Sequence, residues 1–390
     1  MKILQLDIKG FRSLKDVTWK PGDLNILIGA NGTGKSNLLR FLEMMTVVAK
    51  GNLGKYVQSL GGMAAIVWDG EAPDITFKLD WMSGGYAFEE VEPKQLCYKL
   101  QMKQFASLYV ITNEVLSYEV SRELLIKRSA GEGQFREYPN EKFREVELQK
   151  LPTEESLLSA VSAHFWDFSD VPPFKVGLSS IAIYHDIRVD RGATMRSPAV
   201  TRYEQRVDPD GQNLISVLHT LYTGNREFKR SVDAAMRAAF GDDYEEIVFP
   251  PAADQRIQLR IRWKSLKREQ SAADLSDGTL RFLFLLTVLA APDPPPIIAI
   301  NEPETGLHPA MLPIIAEHAV DASLRSQVVL STHSPQLLDA FTDTKPTTTV
   351  TKWEDGQTIL QNLDGDDLAY WLQGYTLGAL FKSGELERMG

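Results

Sequence analysis

The sequence predicts an α/β fold built from a parallel-sheet lobe, an antiparallel β lobe and a mixed, more helical insertion. Three observations carry that prediction. A short apolar run, Leu24 to Ile28, leads straight into glycines and then into helical spacing from Ser36 to Val48. From about Asp74 to Tyr138 apolar and polar residues alternate in segments such as ITFKLDWM and SLYVITNEVLSYEV, broken by Gly, Pro and Asn, as half-buried strands require. Near the end, Pro296 to Ile300 and Gln327 to Leu330 are short apolar runs bounded by turn residues, the pattern of strands covered on both faces.

In chain order, Ile3, Leu4, Leu6 and Ile8 begin a strand, with a turn expected at Lys9-Gly10. The expected domains are residues 1–150, holding the glycine loop and the β lobe, 151–270 as the insertion, and 271–390 as the C-terminal lobe. Helices are expected near Leu157 to Phe165, Leu214 to Tyr222 and Phe228 to Phe240. Ile257, Leu259, Ile261 and Trp263 alternate with Gln258, Arg260, Arg262 and Lys264, so a single strand would carry one apolar and one basic face. Such a face is usually solvated, although it could also meet the phosphates of DNA.

The chain has 390 residues, 43% of them apolar, enough for two lobes with sizeable cores. A formal charge of -10 argues against a protein that coats nucleic acid indiscriminately. The single cysteine, Cys97, excludes an intramolecular disulfide framework and a Cys-rich zinc site, which suits a reducing cytoplasm. The opening MKILQLDIKGF reads as a strand and not as a secretory signal. The longest apolar stretch, Phe282 to Ala291, falls short of the roughly 20 residues of a membrane span, so a buried helix and no membrane partner are expected.

Gly29-Ala30-Asn31-Gly32-Thr33-Gly34-Lys35-Ser36 matches glycine-x4-glycine-lysine-serine, between a predicted strand and a predicted helix. Glycines let successive backbone N–H groups converge, and with the positive end of the helix they form a cradle for phosphate. Asn31, Gly32, Thr33, Gly34, Lys35, Ser36 and Asn37 are therefore the candidate ATP contacts. Lys35 would reach the β and γ phosphates, and the Ser36 hydroxyl would take one position on Mg²⁺.

Three later segments narrow the choice among phosphate-loop proteins. Leu275-Ser276-Asp277-Gly278-Thr279 precedes a predicted helix, Leu280 to Ala290, and resembles the signature motif of ABC ATPases. Asn301-Glu302-Pro303-Glu304-Thr305-Gly306-Leu307-His308-Pro309 follows an apolar strand and resembles the Walker B and D-loop segment. Ser331-Thr332-His333-Ser334-Pro335 resembles the switch-histidine segment. The opening IKGFRSLKDV, the string EPETGLHP, THSPQLLDAF and the tail YTLGALFKSGEL further resemble the RecF, SMC and OLD-like branch of stand-alone bacterial ATPases.

That resemblance implies a phosphate-loop NTPase with a RecA-like parallel lobe, which hydrolyses ATP when two copies pair. Ser276 and Gly278 of one copy would contact the γ phosphate held by Lys35 of the other. Glu302 would be the general base and His333 the γ-phosphate sensor, both catalytic; Arg12 would contact nucleotide phosphate. Asn301, together with Ser36, would serve the metal, although relatives usually carry an acid there. An amide accepts the same hydrogen bond without the charge, which implies slower turnover. His308 stands where related transporters carry a D-loop aspartate, and the Q-loop glutamine is unplaced, with Gln58 and Gln212 as candidates.

The 239 residues between Ser36 and Ser276 lack heptads, which excludes the long coiled-coil arms of SMC proteins. The 57 residues after His333 are too few for the nuclease domain of OLD relatives, so a nuclease would act from a separate chain. Asp364, Asp366 and Asp367 read as a solvated turn or helix cap. The resemblance therefore implies an ATP switch for a separate effector, such as a nuclease in antiviral defence or DNA repair. A RecF-like DNA-binding repair factor is the alternative, and a transporter motor is disfavoured by the β lobe.

Overall fold

The computed structural model describes residues 1–84, 93–105, 108–129, 132–137, 142–146, 152–161, 170–363 and 365–389. The chain divides into two compact units, residues 1–181 with 347–364 and 389–390, and residues 182–346 with 365–388. Among the described residues no helix is long and apolar enough to cross a membrane.

In the first unit an antiparallel sheet is built from β1 (Lys2–Phe11), β2 (Leu14–Trp19), β4 (Asp74–Met82), β5 (Gln95–Phe105), β6 (Leu108–Tyr118), β7 (Leu124–Ser129), β8 (Glu132–Glu137) and β9 (Lys142–Val146), in the order β2-β1-β4-β5-β6-β7-β8-β9. The expected β lobe is present, and it recruits the first two strands of the chain as well. Tyr138, the expected end of the alternation, lies outside the described residues.

The first turn is displaced from its expected place. β1 runs through Gly10 to Phe11, and the chain reverses at Arg12-Ser13, where Phe11 pairs with Leu14. Gly10 does not make a turn; its φ is 77°, and a Cβ there would sit 2.3 Å from the Asp74 carbonyl oxygen, so the glycine serves close strand approach. Reading the glycine as punctuation misassigned a packing requirement to a turn.

Between β2 and β4 the chain forms β3 (Leu24–Ile28), every residue buried, and α1 (Lys35–Lys50). The α1 side chains Leu38, Leu39, Phe41, Leu42 and Met45 are buried at helical spacing. Phe41 meets Phe11 and Phe77 edge-on, with centroids 5.2 and 5.4 Å away, and Phe77, Tyr98 and Phe174 continue the aromatic run. Phe174 belongs to a helix, Val171–Ser179, that the sequence reading did not anticipate because two prolines open it; in the first turn they cost no hydrogen bond. The helix expected from Leu157 is described only as Leu157–Ala160, and residues 162–169 lie outside the described set.

β3 pairs in parallel with the strand Thr347–Glu354, which turns back antiparallel as Gln357–Asn362. This late hairpin thus belongs with the chain's beginning.

The second unit contains three parallel strands, Ala182–Tyr184, Ile297–Asn301 and Gln327–Ser331, with Ile297–Asn301 in the middle. The latter two are nearly or wholly buried, as their uniform apolar character predicts. The helix Asp277–Leu289 is buried along almost its whole length, with Phe284 against Tyr184 at 5.3 Å. Helices Leu214–Gly224 and Arg226–Phe240 match the expected insertion helices.

The expected single basic strand is corrected. Arg256–Ile257 and Arg260–Trp263 belong to different three-stranded sheets. Nor is the Arg262 face open: Arg262 donates to Glu246 on the paired strand and to Glu269 at 2.7 Å, while Arg260 donates to Gln258 at 2.8 Å. The acids that neutralise it come from neighbouring segments, which a count along the strand could not see.

Candidate nucleotide site

In the first unit the loop between β3 and α1 is shaped by its glycines. Gly29, Gly32 and Gly34 have φ of 141°, 82° and 106°, in or beside the left-handed range that only glycine occupies cheaply. Lys35 opens α1, and its ammonium donates to the carbonyls of Gly29 at 2.7 Å and Ala30 at 2.9 Å, curling over the loop. Thr33 and Lys35 are buried, whereas Ala30, Asn31, Gly32 and Ser36 are exposed, so the loop offers backbone and a hydroxyl to solvent. Asn37 Nδ2 donates to Ser13 Oγ at 2.7 Å, a structural anchor.

A Cβ on Gly32 would meet nothing within 4 Å, so that glycine keeps one side of the loop bare. Bare backbone, a helix start, Lys35 and the exposed Ser36 hydroxyl fit a nucleotide triphosphate with its magnesium.

Arg12, at the β1–β2 turn, has φ 48°, and its N–H donates to the Ile66 carbonyl at 2.8 Å. Its Nε is buried without a partner, and burial followed by the nearby Arg40 charge lowers its pKa. A cation held beside another cation favours an anionic ligand. Gln58 is exposed on the helix Leu53–Ser59, and Gln212 is bonded to Thr194.

In the second unit the strand Ile297–Asn301 delivers Asn301 and Glu302, and Gln327–Ser331 delivers Ser331 and His333. Glu302 takes φ 47°, a conformation that costs a non-glycine residue about 1–2 kcal/mol. Its N–H donates to the Ser331 carbonyl at 3.0 Å, and its carbonyl accepts from Arg281 Nη2 at 3.2 Å. Strain held this way aims the side chain; Glu302 Oε1 lies 3.5 Å from His333 Nε2. The Asn301 side-chain oxygen accepts from Ser331 Oγ at 2.7 Å, which leaves it one further lone pair. Glu304 accepts from Thr332 Oγ1 at 2.6 Å and from the His333 N–H at 3.0 Å, fixing the histidine's backbone.

Ser276 is the N-cap of the helix Asp277–Leu289, accepting from the Thr279 N–H at 3.1 Å. Gly278 lies so close to the D-loop that a Cβ would stand 2.7 Å from the Gly306 carbonyl oxygen. His308 caps the next turn, its Nδ1 accepting from the Ala310 N–H at 3.2 Å.

Several residues here were not anticipated. Arg196 donates to the carbonyls of Ala272 at 3.1 Å and Leu275 at 2.7 Å and pairs with Asp277, fastening the segment before the helix. Arg281 is buried with its Nε unpartnered; burial lowers its pKa, opposed by Glu304, Glu302 and Asp186. A cavity of about 410 Å³ is lined by Asp186, Arg188, Asp277, Arg281, Asn301 and Glu302 among others. The cue available in the sequence was the charged run HDIRVDR directly after the apolar Ile181 to Tyr184, because parallel strands present ligand groups at their carboxyl ends. Among the described residues Asp80, Cys97 and Glu119 also gather within 4.8 Å of one another, but Lys78 already pairs with Asp80 at 2.8 Å.

Residues 24–339 match the family model described as "AAA domain, putative AbiEii toxin, Type IV TA system". The chain belongs to this family. Solved structures similar to the AAA-domain protein include an SMC head bound to the C-winged helix domain of ScpA, at 12% identity and TM-score 0.57, covering 94% of this chain and 99% of that one. An SMC head with an extended coiled coil, bound to the C-terminal domain of ScpA and derived from Pyrococcus furiosus, has 11% identity and TM-score 0.56, covering 95% and 98%. At these identities the likeness establishes fold, and it agrees with the RecF/SMC-like branch and the ABC-type architecture expected of the AAA-domain protein. No curated protein matches the chain.

Proposed function

We propose that the chain binds MgATP at Gly29–Ser36 and hydrolyses it as a homodimer, switching a separate effector protein. The observation that carries this reading is the bare, glycine-shaped phosphate loop with Lys35 over it, in a chain whose Glu302 is held in a strained backbone beside His333. Ser36 and Asn301 would hold the magnesium ion, which supplies charge neutralisation between the phosphates. Glu302 would take the proton of the attacking water, and His333 would hold the γ phosphate by a hydrogen bond. Ser276 and Gly278, at a helix start, would grip the γ phosphate bound by the partner copy.

A protein effector is supported by the two similar SMC heads, each bound to a ScpA domain. The family description, which names a toxin of a toxin–antitoxin system, supports a defence role over repair. A RecF-like DNA-binding role is the weaker reading, because Arg262, one of the two arginines that motivated it, already pairs with Glu246 and Glu269.

The test is a pair of substitutions. Lys35→Ala is expected to abolish ATP binding, and Glu302→Gln to retain ATP and accumulate the dimer, followed by size-exclusion chromatography with light scattering. A Glu302→Gln protein that stays monomeric at saturating MgATP would sink the shared-site mechanism.

A further inference from the structure

The phosphate loop is not held in shape by its own residues alone. The hairpin Thr347–Glu354 and Gln357–Asn362 lays two threonines against it. Thr351 Oγ1 stands 2.5 Å from Thr33 Oγ1, across 318 residues of sequence, and 3.0 Å from the Ile28 carbonyl oxygen. Thr358 Oγ1 stands 2.8 Å from the Thr33 carbonyl oxygen and 2.7 Å from Ser13 Oγ. Both threonines are buried, at 1% and 0% exposure.

Proton counting gives this network a direction, since each hydroxyl has one proton to give. The Asn37 amide donates to Ser13, and the single proton of Thr358 faces two acceptors, the Thr33 carbonyl oxygen and Ser13 Oγ. Thr351 donates to the Ile28 carbonyl and accepts from Thr33, for whose proton Ala30 O at 2.9 Å is the competing acceptor. Every donor then has an acceptor.

The glycines divide accordingly. A Cβ on Gly29 would stand 2.3 Å from the Thr351 carbonyl oxygen, and one on Gly34 2.0 Å from Thr358 Oγ1. Two of the loop's glycines are therefore required by the hairpin, and Gly32 alone of the three faces open space.

We infer that Thr351 and Thr358 are positioning residues of the nucleotide site: they fix the peptides of Thr33 and Ile28 so that the loop is already shaped for a triphosphate. The inference rests on the ATP reading above and adds to it that affinity is set partly from the far end of the sequence. Preorganisation of this kind acts on binding and not on the chemical step.

The experiment measures MgATP affinity calorimetrically, with steady-state hydrolysis and thermal melting, for the full-length wild type, Thr358→Val and Thr358→Ser. Thr358→Val keeps the shape and removes the hydroxyl; about ten-fold weaker binding and a raised KM are expected, with kcat within two-fold, as for one lost buried hydrogen bond. Thr358→Ser should restore affinity. Thr358→Val with wild-type affinity overturns the inference. Should that variant fail to fold, Ser13→Ala, at the half-buried end of the same network, is expected to weaken binding about three-fold, and no change overturns the inference. Lys35→Ala separates the two readings: if wild type binds no MgATP, or Lys35→Ala binds as well, the ATP reading fails. Amide hydrogen exchange at residues 31–34 then decides the brace, faster exchange in Thr358→Val supporting it and unchanged exchange ending it.

Discussion

The glycine loop at Gly29–Ser36 and the Glu302 region are held in shape by opposite routes. In the loop, backbone does the work, with positive-φ glycines and peptide groups held in place by buried hydroxyls. Around Glu302, side chains do the work: Ser331 holds Asn301, Glu304 holds Thr332 and the His333 backbone, Arg281 holds the Glu302 carbonyl, and a non-glycine residue takes a left-handed backbone. A backbone device fails when any side chain is added, while a side-chain device fails one hydrogen bond at a time. The first should break abruptly and the second by degrees.

The largest expected effect is therefore Gly34→Ala. Its φ of 106° and a Cβ 2.0 Å from Thr358 Oγ1 leave the loop no way to close, and MgATP affinity is expected to fall at least about a hundred-fold in calorimetric titration. Near-normal binding would show that the loop tolerates remodelling and remove the contrast.

Next, Ser331→Ala takes away the donor to Asn301 and one acceptor of the Glu302 N–H. Turnover is expected to drop about ten-fold, with ATP affinity within two-fold, as one or two hydrogen bonds predict. Equal losses in both quantities would mean that Ser331 supports folding and not the orientation of Glu302.

A smaller change is expected from Arg196→Lys, which keeps the charge but loses the planar fork that serves Ala272, Leu275 and Asp277 together. The ATP-dependent dimer should weaken a few-fold by light scattering while ATP binding by the monomer is unchanged. If dimerisation is untouched, the segment before the helix is held by other contacts.

The smallest effect belongs to Cys97, which lies in neither region and serves as a reference. Burial, with Asp80 adding to it, pushes the thiol up to about 12 from its ordinary 9. The folded state holds the proton more tightly than the unfolded state. The resulting stability is fully present below about pH 9 and is lost as pH rises towards 12. Urea unfolding should show this slope, flattened in Cys97→Ser, and native protein should react slowly with thiol reagents at pH 8. Rapid labelling would contradict the burial.

How much of this was legible follows from the range of the forces involved. The motif Gly29–Ser36 announced strand, turn and helix because spacing and φ preference act within a few residues. The strand Ile297–Asn301, the helix after Ser276 and the late strand Gln327–Ser331 were readable for the same reason. Gly10 misled because a glycine needed for close strand approach looks, in sequence, like a glycine needed for a turn.

The sequence by itself determined the local devices: a phosphate-shaped loop, a serine-capped helix start, and a carboxylate followed by a histidine on strands buried on both faces. Only the tertiary structure decided which distant groups hold them. Thr358 could be assigned to the loop only once β3 had paired with a strand more than three hundred residues away. Arg262 could be seen as neutralised only once Glu246 lay across the sheet from it. Hydrogen bonds and ion pairs act over a few ångströms of space and carry no record of sequence separation, so no local pattern encodes them.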